Sequence, residues 1–302
     1  MSHLPSLRQL EFLVTLVEEQ HFGRAAEKCN VSQSALSTAL KELEQNLGVH
    51  LAERTKRSVT ITPLGNALAD RARRILLDTR AFVDFASANS RFLAGDLKLG
   101  VISTVGPYLL PGLMPHLRKK FPELRLFIKE GMTSDLLLAL QNGYLDAVLL
   151  ALPFEIGDLA YETLFEDGYK LAVGPDHPLA KLKHAEGADL EGTRMMLLEK
   201  GHCLQQHALS AFTPIGPVQD SSFEATSLST LVGMVAEGLG TTLLPDIAIK
   251  AGLTDNYDLH LVDVDKALPR KITLTWRKSS PRGEELKQLG EFIKQIYEGQ
   301  ET

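Results

Sequence analysis

At 302 residues the chain is too long for one small module and has room for a compact head plus a second domain of about 200 residues. Its 44% hydrophobic and 23% charged residues are those of a folded globular protein, which excludes a disordered chain, and a formal net charge of −6 excludes one that coats nucleic acid indiscriminately. Only Cys29 and Cys203 are present, so neither a disulfide framework nor a multi-thiolate zinc site fits within one chain, and no metal or cofactor is expected.

Residues 1–10 hold neither a basic stretch nor a long apolar run, and no later apolar stretch reaches about 18 residues. A soluble, cytoplasmic protein without membrane contact is the expectation. From Leu7, the apolar residues Leu7, Leu10, Leu13, Val14 and Val17 recur at helical spacing and predict a first amphipathic helix. Arg24, Ala25, Ala26, Glu27 and Lys28 form a short second helix ending near Cys29 and Asn30, where Asn suits a chain reversal. Ser32 is the N-cap of a third helix with the buried stripe Leu36, Leu40, Leu43 and Leu47, closed by Gly48. Two helices joined so tightly, with small Ala25 and Ala26 at the contact, are the pattern of a helix-turn-helix, and an ordinary three-helix bundle shares it. Arg54, Thr55, Lys56, Arg57 and Ser58 then lead into alternating Val59, Thr60, Ile61 and Thr62, a small hairpin with a basic tip, or wing.

Residues 63–92 read as one long helix, with Ile61, Leu68, Ile75 and Phe82 seven apart and Ala72, Thr79 and Ala86 on a neighbouring line. The polar face holds Arg71, Arg73, Arg74 and Arg80. A seven-residue stripe wants a partner helix, so dimerisation through this element is expected; packing on the rest of its own chain is the alternative. After a break at Gly95, strand and helix patterns alternate: strand 97–102, helix 109–119, strand 124–129, helix 134–142 and strand 147–152. Strands at 170–173 and 195–199, a helix from Cys203, a strand at 218–223 and a helix at 228–237 follow, then strands at 259–264 and 271–276 and a closing helix at 284–297. The fold class is α/β. Parallel sheet with helices on both faces is expected, folded into two lobes with a cleft between them. The boundaries expected are 1–62 for the winged head, 63–92 for the linker helix and 93–302 for an effector domain, with lobe I at about 93–167 and 268–302 and lobe II at about 168–267.

The runs Phe22-Gly23-Arg24-Ala25-Ala26, Val31-Ser32-Gln33-Ser34-Ala35-Leu36-Ser37, Leu43-Glu44, Leu51-Ala52-Glu53-Arg54 and Thr62-Pro63-Leu64-Gly65 resemble the head of LysR-type transcriptional regulators. The resemblance implies a winged helix-turn-helix that binds double-stranded DNA, followed by a periplasmic-binding-protein-like effector domain. It places the third helix in the major groove, with Gln33, Ser34, Ser37, Thr38 and Lys41 toward DNA and Arg54 and Arg57 on backbone phosphates. The chemistry agrees, because Gln can bond adenine in bidentate fashion and short hydroxyls reach phosphates or base edges. Acidic residues of the head offset its basic ones, so affinity is expected from paired heads on an operator with two half-sites. The family commonly assembles as tetramers, and a homodimer through the linker helix, a homotetramer and RNA polymerase are the partners expected.

Within that family, Thr104-Val105-Gly106-Pro107-Tyr108-Leu109-Leu110-Pro111, Gly201-His202-Cys203-Leu204 and Ala225-Thr226-Ser227-Leu228 resemble the hydrogen-peroxide-sensing branch, the OxyR regulators. By that resemblance Cys203 matches the peroxide-reactive cysteine, Thr104 and Thr133 match hydroxyls that hold peroxide beside it, and Arg270 matches a nearby arginine. Read from the residues alone, Cys203 stands where a strand turns into a helix, a setting that favours thiolate, and His202 adds a proton or a charge; a buried inert cysteine fits the same position. Those regulators have a resolving cysteine nine positions on, where this chain has Phe212, so an intramolecular disulfide there is ruled out. Oxidised Cys203 must then stop at sulfenic acid, climb to sulfinic acid, take a small-thiol cap or pair between chains. The expected function is a DNA-binding regulator, not an enzyme, in which oxidation of Cys203 favours one of two packings of the effector domain. The alternative keeps the head but replaces redox chemistry with a small metabolite or anion between the lobes, held by Thr104, Thr133, His202 and the helix start near Thr226. A thiol peroxidase is opposed by the missing resolving thiol, and an exported solute-binding protein by the missing leader.

Overall fold

The computed structural model describes residues 4–54, 59–88, 93–199, 218–225, 227–264 and 268–299. They form two compact units, Met1–Ser90 and Arg91–Thr302.

The first unit opens with α1 (Leu7–Glu19), set by a capping box: Gln9 N donates to Ser6 Oγ at 3.2 Å and Ser6 N donates to Gln9 Oε1 at 3.0 Å. Helix α2 (Phe22–Lys28) begins two residues before the predicted start, because His21 Nδ1 accepts from the amides of Gly23 and Arg24, a cap outside the usual Ser, Thr, Asp and Asn set. Asn30, at φ +53°, makes the reversal into α3 (Gln33–Leu47), which Ser32 caps and Gly48 ends at φ +68°. Leu13, Leu16, Ala25, Leu36, Leu43 and Leu51 are sealed at the centre of this head. Fully burying each such leucine stabilises the head by about 1.5–3 kcal/mol. Strands β1 (Ala52–Arg54) and β2 (Val59–Ile61) pair antiparallel as the predicted hairpin, while its basic tip at 55–58 lies outside the described residues.

Helix α4 (Pro63–Ala88) is seated on the head at its start. Thr62 Oγ1 accepts from Gly65 N at 2.9 Å, and its hydroxyl lies 3.0 Å from the His50 carbonyl. A Cβ on Gly65 would stand 2.2 Å from the Leu51 carbonyl oxygen, which is why the Thr62-Pro63-Leu64-Gly65 run ends in glycine. Further along, Ala72 and Leu76 pack on Leu10 and Val14 of α1. Ile75 and Phe82 of the predicted seven-residue stripe stay 46% and 76% exposed.

The second unit has two hydrophobic cores, each with its own sheet. Its first sheet runs β4 (Leu124–Gly131), β3 (Gly95–Ile102), β5 (Ala147–Leu152), β13 (Arg270–Arg277), β6 (Leu159–Asp167). Strands β3, β4 and β5 are parallel, as expected, but β13 is antiparallel to both β5 and β6, so the sheet is mixed. Two helices are set between its parallel strands, α5 (Gly106–Lys120) and α6 (Thr133–Gln141), starting three residues and one residue before their predicted starts. The strand β6 has no counterpart in the sequence reading, since its exposed Tyr161 and Glu166 alternate only loosely with buried Leu159, Leu164 and Phe165. The second sheet, β11 (Thr242–Pro245), β7 (Tyr169–Val173), β12 (His260–Val264), β8 (His184–Ala185), is largely antiparallel, a correction to the all-parallel expectation. Parallel β9 (Arg194–Leu198) and β10 (Val218–Ala225) join it through a bridge between Met195 and Thr241. Helices α7 (Leu228–Ala236) and α8 (Asp246–Lys250) cover this lobe, and α9 (Gly283–Tyr297) returns to the first core. The helix predicted from Cys203 lies outside the described residues. Among the described residues no helix is long and apolar enough to cross a membrane.

Candidate functional site

In the head, α3 turns Leu36, Leu40 and Leu43 inward, and 3.6 residues per turn sends the opposite stripe outward. Gln33, Ser34, Thr38 and Lys41 are exposed, with Ser37 partly covered on the same face, so all five predicted base-reading side chains lie on one helix surface. Arg54 is the last residue of β1, and Arg57 lies outside the described residues.

In the second unit, β3 and β4 run in parallel register from Gly95 beside Leu124 to Ile102 beside Gly131. Thr104 and Thr133 each follow two residues after that last pair, so the register sets them at equivalent positions beyond the carboxyl ends of neighbouring strands. Each stands at the start of a helix. The N-cap residues Val105 and Met132 supply no side-chain cap to the first turns of α5 and α6; in α5, Pro107 has no amide proton and Tyr108 N donates to the Val105 carbonyl at 3.1 Å. The carboxyl edge of parallel strands, facing helix N-termini, is where open α/β sheets bind ligands.

The two threonines differ in their partners. Thr133 is 1% exposed, and among the described residues its Oγ1 has no hydrogen-bond partner, a buried polar group open to a ligand. Thr104, equally buried, accepts from Arg270 Nη1 at 2.9 Å, and its carbonyl accepts from Arg270 Nη2 at 3.1 Å. Arg270 is sealed from solvent, donating from Nε at 3.0 Å and Nη2 at 2.8 Å to Asp167 Oδ2, with its guanidinium 5.9 Å from the Tyr169 ring centre. Asp167 Oδ1 accepts the Ile247 amide at 2.9 Å. Burial pushes the Asp167 carboxyl above its ordinary value, against the Arg270 charge and the Ile247 amide, which hold it down. Nearby Tyr108 is pushed up to about 12, first by burial and then by the Glu130 charge. Tyr297, stacked 3.5 Å from Phe165, is raised by burial as well.

Arg270, predicted as a neighbour of a reactive thiol, donates to Asp167 and Thr104. His202, Cys203, Phe212 and Thr226 lie outside the described residues. The sequence reading missed Asp167, which follows acidic Glu166 directly and carries no local signal that sets it apart.

Residues 7–66 match the bacterial regulatory helix-turn-helix protein of the lysR family, and residues 90–297 match the LysR substrate binding domain. The chain belongs to the LysR family. As a LysR-type transcription regulator, it is 40% identical over 294 residues to the DNA-binding transcriptional dual regulator OxyR of Escherichia coli, covering 97% of this chain and 96% of that one. It is also 40% identical over 303 residues to the HTH-type transcriptional regulator EstR of Acinetobacter baylyi, covering 98% of each. Among solved structures, a full-length OxyR of Pseudomonas aeruginosa with a cysteine-to-aspartate substitution aligns with a TM-score of 0.77 at 35% identity, over 96% of this chain and 95% of that one. A cysteine-to-serine mutant of OxyR from Corynebacterium glutamicum, bound to hydrogen peroxide, aligns with a TM-score of 0.65 at 33% identity, over 99% and 94%. The LysR-type architecture, a helix-turn-helix head followed by an α/β effector domain, is therefore shared along nearly the whole chain.

Proposed function

We propose that this LysR-type regulator senses hydrogen peroxide through Cys203 and converts the oxidation into a change in operator binding. The observation that supports this most is the pair of buried threonine hydroxyls at adjacent strand ends, Thr133 without a partner among the described residues and Thr104 accepting from Arg270. Both have a hydroxyl proton to offer. The Cys203 thiolate attacks one peroxide oxygen; the S–O bond forms as the O–O bond breaks, the electron pair leaves on the other oxygen, and that hydroxide takes a proton to become water. Cys203 is left as sulfenic acid. Hydrogen-bond donors at the departing oxygen stabilise its developing charge, the part assigned to Thr104 and Thr133, and His202 beside the thiol supplies or accepts the proton. The relatives named for peroxide, and the solved OxyR with peroxide bound, favour the same reading.

In this reading the winged head at 1–62 reads DNA with Gln33, Ser34, Ser37, Thr38 and Lys41 and grips phosphates with Arg54 and Arg57. The linker at 63–92, whose helix is α4, pairs two chains through the exposed Ile75 and Phe82, and the effector domain at 93–302 assembles dimers into a homotetramer that contacts RNA polymerase in the cytoplasm. With no second thiol at Phe212, the protein acts as a switch and does not turn over as a peroxidase. Operator footprints before and after peroxide test it: the wild-type footprint changes length or spacing, and that of Cys203→Ser does not. Identical footprints for the two proteins would overturn it.

A second reading has one observation in its favour. Phe212 removes the resolving thiol, and EstR, a regulator not named for peroxide, is as similar as OxyR. Thr104, Thr133, His202 and the helix start near Thr226 would then hold a small anion or metabolite. Saturable effector binding by Cys203→Ser would favour it.

A further inference from the structure

We infer that Asp167 is a positioning residue of the effector site, acting through Arg270 to keep the Thr104 hydroxyl a donor toward the ligand. The inference rests on the peroxide reading given above. Arg270 and Asp167 are 103 residues apart in sequence, yet the register of β13 on β6 sets them side by side where the chain crosses from one sheet to the other. The carboxylate is fixed from two elements: Oδ2 takes both Nε and Nη2 of Arg270, and Oδ1 takes the Ile247 amide of α8. Asp246 N donates to the Gly168 carbonyl at 3.0 Å, tying α8 to the same crossing. A guanidinium is planar, so holding its Nε edge sets the direction of Nη1. Nη1 donates to Thr104 Oγ1 at 2.9 Å, and Nη2 fixes the Thr104 carbonyl. With a positive donor on its oxygen, the Thr104 hydroxyl turns its own proton away from Arg270. That is the orientation needed to stabilise negative charge on a departing peroxide oxygen. Asp167 is bonded to Arg270 and Ile247, and its effect on Thr104 passes through the guanidinium.

The test uses the full chain in a Cys29→Ser background and follows loss of the Cys203 thiol with hydrogen peroxide and, separately, with iodoacetamide, which has no oxygen leaving group. Thr104→Val and Asp167→Asn are each expected to slow the peroxide reaction by about tenfold or more while leaving alkylation unchanged. The double variant is expected to be no slower than Thr104→Val alone, because Asp167 works through that hydroxyl. The inference is overturned if Asp167→Asn keeps the parent peroxide rate, if it slows both reagents equally as a purely structural residue would, or if the two losses multiply in the double variant. Should Asp167→Asn fail to fold, Arg270→Lys keeps the charge beside Asp167 without the fork. It must show the same peroxide-selective loss, and an unchanged peroxide rate overturns the inference. If the parent itself reacts with peroxide no faster than a free thiol, the peroxide reading falls and takes this inference with it. A fast parent with an unaffected Asp167→Asn removes only the inference.

Discussion

Thr133 and Thr104 occupy matching positions and have opposite consequences for stability. Thr133 buries a hydroxyl with no partner among the described residues, a group that costs about 1–3 kcal/mol when left unsatisfied. Thr133→Val removes that group at nearly constant volume, so the reduced protein is expected to unfold in urea at the same concentration or a higher one, while its reaction with peroxide slows. Thr104→Val strips the acceptor from Arg270 Nη1 inside the protein and is expected to cost about 1–3 kcal/mol. If Thr133→Val destabilises as much as Thr104→Val, the Thr133 hydroxyl is not an open ligand donor. Both threonines are legible by resemblance, Thr104 within a short local run and Thr133 by position alone. Asp167 is not, since nothing near it in sequence signals a partner 103 positions away.

The elements that sequence made legible are those whose ends are set by neighbours in the chain. Ser32 and Gly48 bound α3 through a cap and a left-handed residue, both local signals. The sheets are different. Strand β6 is specified by pairing with β13, more than a hundred residues later, and its own alternation is weak. The antiparallel order of the second sheet likewise depends on which distant strands meet, which periodicity does not encode. The seat of α4 on the head illustrates a local rule with a structural cause: Gly65 lies against the Leu51 carbonyl with no room for a methyl. Gly65→Ala must move backbone, not merely a side-chain end. It is expected to destabilise the head by about 1–3 kcal/mol, read as a lower melting temperature, and to weaken operator binding as α4 shifts. A melting temperature equal to wild type would show that this close approach does not hold the helix start.

At the scale of the whole molecule, the chain carries a head with a polar helix face and an effector domain with two buried threonine hydroxyls at a strand edge. The head's mixed charges favour the proposed mode, in which two or more paired heads bind together and a rearrangement of the effector domain changes their spacing. With Phe212 where a resolving thiol would stand, the proposed oxidised state is a sulfenic or sulfinic acid, a small-thiol cap or a disulfide between chains, and not a disulfide to position 212. The most direct test is the intact mass of the Cys29→Ser protein, followed in time after mixing with low micromolar hydrogen peroxide. The account predicts rapid gain of one oxygen on Cys203, captured as a mixed disulfide when a small thiol is present. A Cys203 that is oxidised no faster than free cysteine would contradict it, and would favour a small-molecule effector held by Thr104 and Thr133.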